Sequence, residues 1–137
     1  MRALVVINPG NPTGNALPED DMRAVIEFAY REGLVLLADE VYQENVWEDG
    51  LAWRSFRRVA CAMGLVDPAS TAVHAPLQLA SFHSVSKGFT GECGRRGGYV
   101  ELVGFEPAVR AELLKLASVN LCRLWHTQLA SSTTGTA

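Results

Sequence analysis

Short apolar runs alternate with a stretch of helical periodicity in the first part of the chain. Residues 3–8 form a branched apolar run, typical of a strand buried on both faces. A proline and three acidic residues at 18–21 precede apolar positions at helical spacing over 22–30, and Gly33 marks the end of that segment. Residues 34–38 form a second buried-type run. The pattern predicts a strand–helix–strand unit with parallel strands.

The rest of the chain has a weaker but readable pattern. It predicts, in chain order, a short helix over 55–63, a strand over 77–82, a glycine-punctuated loop over 83–96, a strand over 98–103 and an amphipathic helix over 107–118. The first helix should turn Phe56, Val59 and Ala60 inward, and the second carries Val109, Leu113, Leu114 and Leu116. This order of elements favours an α/β fold with a mainly parallel sheet flanked by helices.

Composition narrows the class of protein. The chain has 137 residues, 48% hydrophobic and 20% charged, which suits one core and is short for two domains. A net charge of −3 and the lack of a long apolar run argue against nucleic-acid or membrane partners. The three cysteines lack metal-type spacing, so we expect reduced intracellular thiols and no metal. Residues 123–137 end in a low-complexity polar run, which predicts a disordered tail.

Polar side chains gather where the predicted strands reach one edge of the sheet. Ligands of open parallel sheets bind beyond the carboxyl ends of the strands. The side chains expected there are Asn11, Asp39, Tyr42, Ser84, Ser86, Lys87 and Arg96. Pyridoxal phosphate needs such a set: an amine for its aldehyde, a carboxylate for its ring nitrogen, a donor for its phenolate, and arginine with hydroxyl donors for its phosphate.

Each of these residues also has a plain structural interpretation. Lys87 in a loop could be solvated, and Asp39 at a strand end could cap a helix. Tyr42 could be an ordinary half-buried aromatic residue, and Asn11 between two prolines could only stabilise a turn. Arg96 could form a surface ion pair. The glycines at three-residue spacing near residue 94 do not follow a strand, so a dinucleotide-binding loop is not favoured.

Four sequence segments together resemble the fold-type I pyridoxal-phosphate-dependent aminotransferases of classes I and II. They are residues 8–14 (NPGNPTG), 38–42 (ADEVY), 84–88 (SVSKG) and 96–99 (RGGY). Finer details, at 39–46, 80–84 and 91–94, are similar to the alanine aminotransferases. Each segment alone is weak, but four in order and spacing are specific, and the resemblance extends over about residues 3–122.

The resemblance implies catalytic and cofactor roles. Lys87 would hold the cofactor as a Schiff base and, once displaced, shuttle the proton between substrate and cofactor. Asp39 would pair with the pyridinium nitrogen. Tyr42 and Asn11 would hydrogen-bond the ring phenolate, and Asn11 would also contact the substrate carboxylate.

Phosphate binding is implied for a second group of residues. Ser84, Ser86 and Arg96 would bind the cofactor phosphate. Arg95 lies beside Arg96 and could be mistaken for it. Arg96 is chosen because it abuts Gly97.

The activity implied is exchange of the amino group between L-alanine and 2-oxoglutarate, giving pyruvate and L-glutamate. Two alternatives stay open. The enzyme could exchange the amino group between glutamate and glyoxylate, or the chain could be a catalytically inactive fragment of such an enzyme. The resemblance also implies that residues 1–122 are an internal part of the large cofactor-binding domain of the aspartate-aminotransferase-like fold, with residues 123–137 outside the family pattern. The longer parent would be a homodimer in the cytoplasm or mitochondria.

Overall fold

A computed structural model describes residues 2–47, 49–50, 52–66 and 77–119. The described elements are β1 (Ala3–Ile7), α1 (Glu19–Arg31), β2 (Val35–Asp39), α2 (Phe56–Ala62), β3 (Leu79–Ser84), a short 3-10 helix (Cys93–Arg95), β4 (Gly98–Val103) and α3 (Pro107–Val119). The α/β class predicted from the sequence is confirmed. The predicted tail over 123–137 lies outside the described residues.

Within the described residues, the strands form one four-stranded sheet in the order β1-β2-β3-β4. β1, β2 and β3 are parallel, whereas β4 runs antiparallel to β3, so the sheet is mixed. The reversal has a simple consequence for the site: the residues that precede β4 lie at the same edge as the residues that follow β1, β2 and β3.

The core lies between one face of the sheet and helices α1 and α2. Leu36, Ala38 and Leu79 project from the strands into this layer and are fully buried. Ile26 of α1 and Phe56 of α2 meet them from the helices, also with no exposed surface. Burying a large apolar side chain contributes about 1.5–3 kcal/mol, so this layer holds the two parallel crossovers in place.

Helix α2 buries the face that its sequence predicts. Phe56, Val59 and Ala60 are all in the core. Its first turn is closed by Ser55, whose hydroxyl accepts a hydrogen bond from the Arg58 backbone N–H at 3.1 Å.

The bounds of β1, β2, α2 and α3 agree with the prediction to within one residue, and two predicted features differ more. β3 covers Leu79–Ser84 and therefore begins and ends two residues later than predicted, because its first residue pairs with Val103 and its last with Gly98 of β4. α3 forms as predicted, but the apolar side chains on it are exposed among the described residues. These side chains are Val109, Leu113, Leu114 and Leu116.

Candidate active site

A cavity of about 420 Å³ opens at the carboxyl edge of the parallel strands. It is built by the segments after β1, β2 and β3 and by the turn before β4. Its walls are formed by Ile7, Asn11, Asp39, Val41, Tyr42, Ser84, Ser86, Lys87, Cys93 and Arg96. All seven residues predicted for the site are among them.

The loop after β1 is held by a buried asparagine. Asn8 is 1% exposed, and its side-chain oxygen accepts a hydrogen bond from the Leu17 backbone N–H at 2.8 Å. The Asn8 backbone N–H donates to the carbonyl of Asp39 at 2.9 Å. These contacts close the turn over residues 9–16, and Asn11 at its tip reaches the cavity.

Asn11 and Tyr42 meet across the cavity wall. The Asn11 side-chain amide donates to the Tyr42 hydroxyl oxygen at 3.4 Å, a long hydrogen bond. Both groups can donate, so a phenolate between them could accept from each. The Lys87 Nζ lies 5.8 Å from the centre of the Tyr42 ring, within the range of a cation–π contact.

Asp39 is the last residue of β2, and its side chain lines the same cavity. One carboxylate oxygen accepts a weak hydrogen bond from the Val41 backbone N–H at 3.3 Å. The carboxylate therefore has acceptor capacity left for a protonated ring nitrogen.

Hydroxyl and guanidinium groups also line the cavity. The Ser84 hydroxyl oxygen accepts from the Ser86 backbone N–H at 3.0 Å, which curls the chain directly before Lys87. Arg96 adopts a left-handed backbone conformation with φ 50°, and its Nη1 donates to the Cys93 carbonyl at 3.0 Å. A guanidinium fork beside two serines is a suitable site for a phosphate group.

Arg95 has a different environment from Arg96. It is absent from the cavity wall, is well exposed, and forms an ion pair with Glu92 at 3.3 Å. Of the two neighbouring arginines, Arg96 alone therefore lines this cavity.

Sequence reasoning assigned no role to Glu40, which lies behind the cavity. Its side chain is 1% exposed, and one carboxyl oxygen accepts a hydrogen bond from the Phe56 backbone N–H at 2.7 Å. Burial raises the pKa of the Glu40 carboxyl above its usual range. The only sign of this buried acid in the sequence is that Asp39 and Glu40 are adjacent at the end of a strand. Side chains of an extended segment alternate between the two faces of the sheet, so one of the two acids must lie on the core side.

His83 lies next to Glu40, with Nε2 3.8 Å from a carboxyl oxygen, too far for a hydrogen bond. Its ring stacks on Tyr99 with centroids 4.8 Å apart. Burial lowers the pKa of His83, so the imidazole is neutral near pH 7. His83 therefore packs beside Glu40 as a neutral ring.

No cluster of three or more His, Cys, Asp or Glu side chains suited to a metal ion occurs in the described ranges. Nor does any helix in the part of the chain that the structure describes have the length and apolar character needed to cross a membrane.

The sequence profile of the "Aminotransferase class I and II" family matches residues 1–136. The chain belongs to this family. Among curated relatives of this chain, "Alanine aminotransferase 2" of Panicum miliaceum is 53% identical over 122 residues, covering 89% of this chain and 24% of the relative. "Alanine aminotransferase 1, mitochondrial" of Arabidopsis thaliana is 55% identical over 122 residues, covering 89% and 21%. This chain thus spans about a fifth to a quarter of the length of these relatives.

Solved structures confirm the aspartate-aminotransferase-like fold. An aminotransferase from Escherichia coli matches with a TM-score of 0.64 and 27% identity, over 88% of this chain and 27% of that one. An aspartate aminotransferase from Rhodobacter sphaeroides matches with a TM-score of 0.62 and 20% identity, over 86% and 26%. Because the Rhodobacter sphaeroides protein is only 20% identical, its match supports the shared fold alone.

Proposed function

We propose that the protein acts as an alanine aminotransferase that binds pyridoxal phosphate covalently at Lys87. It would move the amino group between L-alanine and 2-oxoglutarate, giving pyruvate and L-glutamate. The observation that carries this proposal is the convergence of Lys87, Asp39, Tyr42 and Arg96 on one cavity. The names of the relatives, which match over most of this chain, favour alanine as the amino donor.

The side chains around the cavity fit the chemical groups of pyridoxal phosphate. The Asp39 carboxylate suits the protonated ring nitrogen, and the Tyr42 hydroxyl and Asn11 amide suit the ring phenolate. Ser84, Ser86 and Arg96 suit the phosphate, a set that again draws on β3 and the turn before β4. When bound, the cofactor supplies a ring that withdraws electrons from the substrate Cα.

The residues of this chain would then orient groups and move protons. Lys87, once free, is the base that takes the proton from the substrate Cα, and its place on a tight turn after β3 limits its reach. Tyr42 and Asn11 hold the phenolate, and Asn11 also contacts the substrate carboxylate. The Asp39 carboxylate would hold the protonated ring nitrogen, which is the condition for electron withdrawal.

The remaining features of the proposal concern the longer protein. Residues 1–122 would form part of the large cofactor-binding domain and residues 123–137 a tail outside that domain, although the family profile itself extends to residue 136. The whole enzyme would be a homodimer in the cytoplasm or mitochondria, with amino acids and 2-oxo acids as its small-molecule partners. A second Arabidopsis thaliana relative, "Alanine aminotransferase 2, mitochondrial", also carries this compartment in its name.

Borohydride reduction of the purified chain with pyridoxal phosphate, followed by peptide mapping, tests the cofactor site. The chain has two lysines, Lys87 and Lys115, so the experiment contains its own control. Lys115 is exposed on α3 and ion-paired with Glu112 at 2.6 Å. We expect the adduct on Lys87, its loss in Lys87→Ala, and its retention in Lys115→Ala.

Equal labelling of both lysines, or labelling of the N-terminal amine alone, would contradict a formed site in this chain. A coupled assay with L-alanine and 2-oxoglutarate then separates turnover from cofactor binding alone. An inactive fragment would show the Lys87 adduct without production of pyruvate. The observation behind this alternative is the short span of the chain, which covers 24% of the Panicum miliaceum relative.

A further inference from the structure

The turn after β2 carries two of the proposed cofactor ligands and one buried acid between them. Asp39 ends the strand, and Tyr42 lies in the turn over residues 41–44. Glu40 follows Asp39 directly, and neighbouring side chains of an extended segment point to opposite faces. Asp39 lines the cavity, whereas Glu40 reaches the helix layer on the other side of the sheet.

Three hydrogen bonds hold Glu40 in place: one to β3, one to α2 and one within its own turn. Its backbone N–H donates to the Phe82 carbonyl of β3 at 3.1 Å. Its carbonyl accepts from the Gln43 N–H at 3.1 Å, which closes the turn. Its carboxyl oxygen accepts from the Phe56 N–H at the start of α2 at 2.7 Å.

The contact with α2 is the one that depends on the side chain. Phe56 is fully buried, and its N–H has no carbonyl of its own helix to bond, because it is the first residue of α2. Losing the carboxyl group would leave this buried donor unpaired and would open a space behind the turn. The backbone of the turn could then shift, and the side chains of Asp39 and Tyr42 would move with it.

We propose that Glu40 is a positioning residue, whose buried carboxyl group ties the turn after β2 to helix α2 and thereby holds Asp39 and Tyr42 in the cavity wall. The inference rests on the proposed function for the roles of those two residues. The tie itself is a property of the chain without any cofactor, so it can be measured separately.

Amide hydrogen exchange of the purified chain tests the tie. The reporters are the Gln43 N–H, bonded to the Glu40 carbonyl, and the Asn45 N–H, bonded to the Tyr42 carbonyl at 2.8 Å. In Glu40→Ala we expect both to exchange about tenfold faster than in the unmodified chain, since local opening becomes easier. In Glu40→Gln the side-chain oxygen can still accept from Phe56, so the slow exchange should return.

A packing variant of α2 serves as a control that separates positioning from a general loss of stability. Val59 lies on the same helix, is 1% exposed, and touches the core, so Val59→Ala should destabilise the fold through lost packing. It should leave exchange in the turn unchanged under native conditions. The proposal is overturned if Glu40→Ala leaves both reporters slow, or if Val59→Ala accelerates them equally.

The consequence for the cofactor is read from the visible absorption of the chain mixed with pyridoxal phosphate. Glu40→Ala should shift the pH midpoint of the absorption change, because Tyr42 and Asp39 set the charge on the ring. Glu40→Gln should restore the midpoint, and Val59→Ala should leave it in place. If the unmodified chain shows no adduct at Lys87, the proposed function fails in this chain, while the exchange result still decides the role of Glu40.

Discussion

Gly98 is a glycine at which the structure leaves almost no room for a side chain. It begins β4 and pairs with Ser84 of β3. A Cβ atom added there would lie 2.7 Å from the backbone oxygen of His83, where ordinary contact begins at 3.4 Å. The two strands would have to separate locally by about 0.7 Å. Because the obstacle is backbone, we expect Gly98→Ala to destabilise the chain by about 1–3 kcal/mol, the usual cost of overpacking.

The same shift should reach the proposed phosphate wall, since the Ser84 hydroxyl contacts the carbonyl of Gly97 at 3.5 Å. We expect weaker trapping of pyridoxal phosphate at Lys87 in Gly98→Ala. Gly94 is a matched control in the neighbouring turn, because an added Cβ meets nothing within 4 Å and its φ is not positive. Gly94→Ala should be neutral or stabilise the chain by about 0.4–1 kcal/mol through the unfolded state.

Urea unfolding, followed by circular dichroism at fixed protein concentration, measures both variants. The urea concentrations at half-unfolding are compared between variants whose unfolding free energy has the same dependence on urea concentration. A changed dependence would signal a different unfolded or native ensemble. The reasoning is refuted if Gly98→Ala is as stable as the unmodified chain, or if both variants lose the same amount.

Two further predictions concern buried polar side chains. Asn8→Ala leaves the Leu17 N–H without its acceptor and should cost about 1–3 kcal/mol in urea unfolding; a cost below about 0.5 kcal/mol would contradict the role of Asn8 in closing the loop. Glu40→Gln removes a carboxyl whose pKa is raised by burial. That carboxyl stabilises the fold fully below its unfolded pKa of about 4.3, and the contribution is lost as pH rises through the folded pKa. The stability of Glu40→Gln relative to the unmodified chain should therefore increase as pH rises from about 4.3 through the raised folded pKa of Glu40, whereas a difference that stays constant with pH would exclude the titration of Glu40.

Much of the site could be predicted from the sequence because its residues follow strand ends. Each apolar run predicts a strand, and the polar residues after it must then lie at one edge of a parallel sheet. Lys87, Asp39 and Asn11 reach the cavity for that reason. Their chemical roles stay predictions until an adduct is mapped.

The features that were missed depend on pairings between distant residues. The end of β3 is set by Ser84 pairing with Gly98, which no local pattern around residue 84 shows. Glu40 resembles an ordinary surface acid in the sequence, and its burial depends on the arrival of α2 from residue 56 onward. The exposure of Leu116 on α3 was equally invisible, since periodicity predicts an apolar face without showing what packs against it.

The left-handed conformation of Arg96 has a consequence for any attempt to make this protein more robust. Its φ of 50° is one that glycine adopts without a steric penalty, whereas a side chain there stores about 1 kcal/mol or more of strain. A search for stabilising substitutions would therefore select glycine at this position. It would also remove the only guanidinium in the described wall of the cavity. Replacing Arg96 by glycine would thus raise thermal stability and lower the affinity for anions. A screen for thermal stability should therefore also measure anion binding.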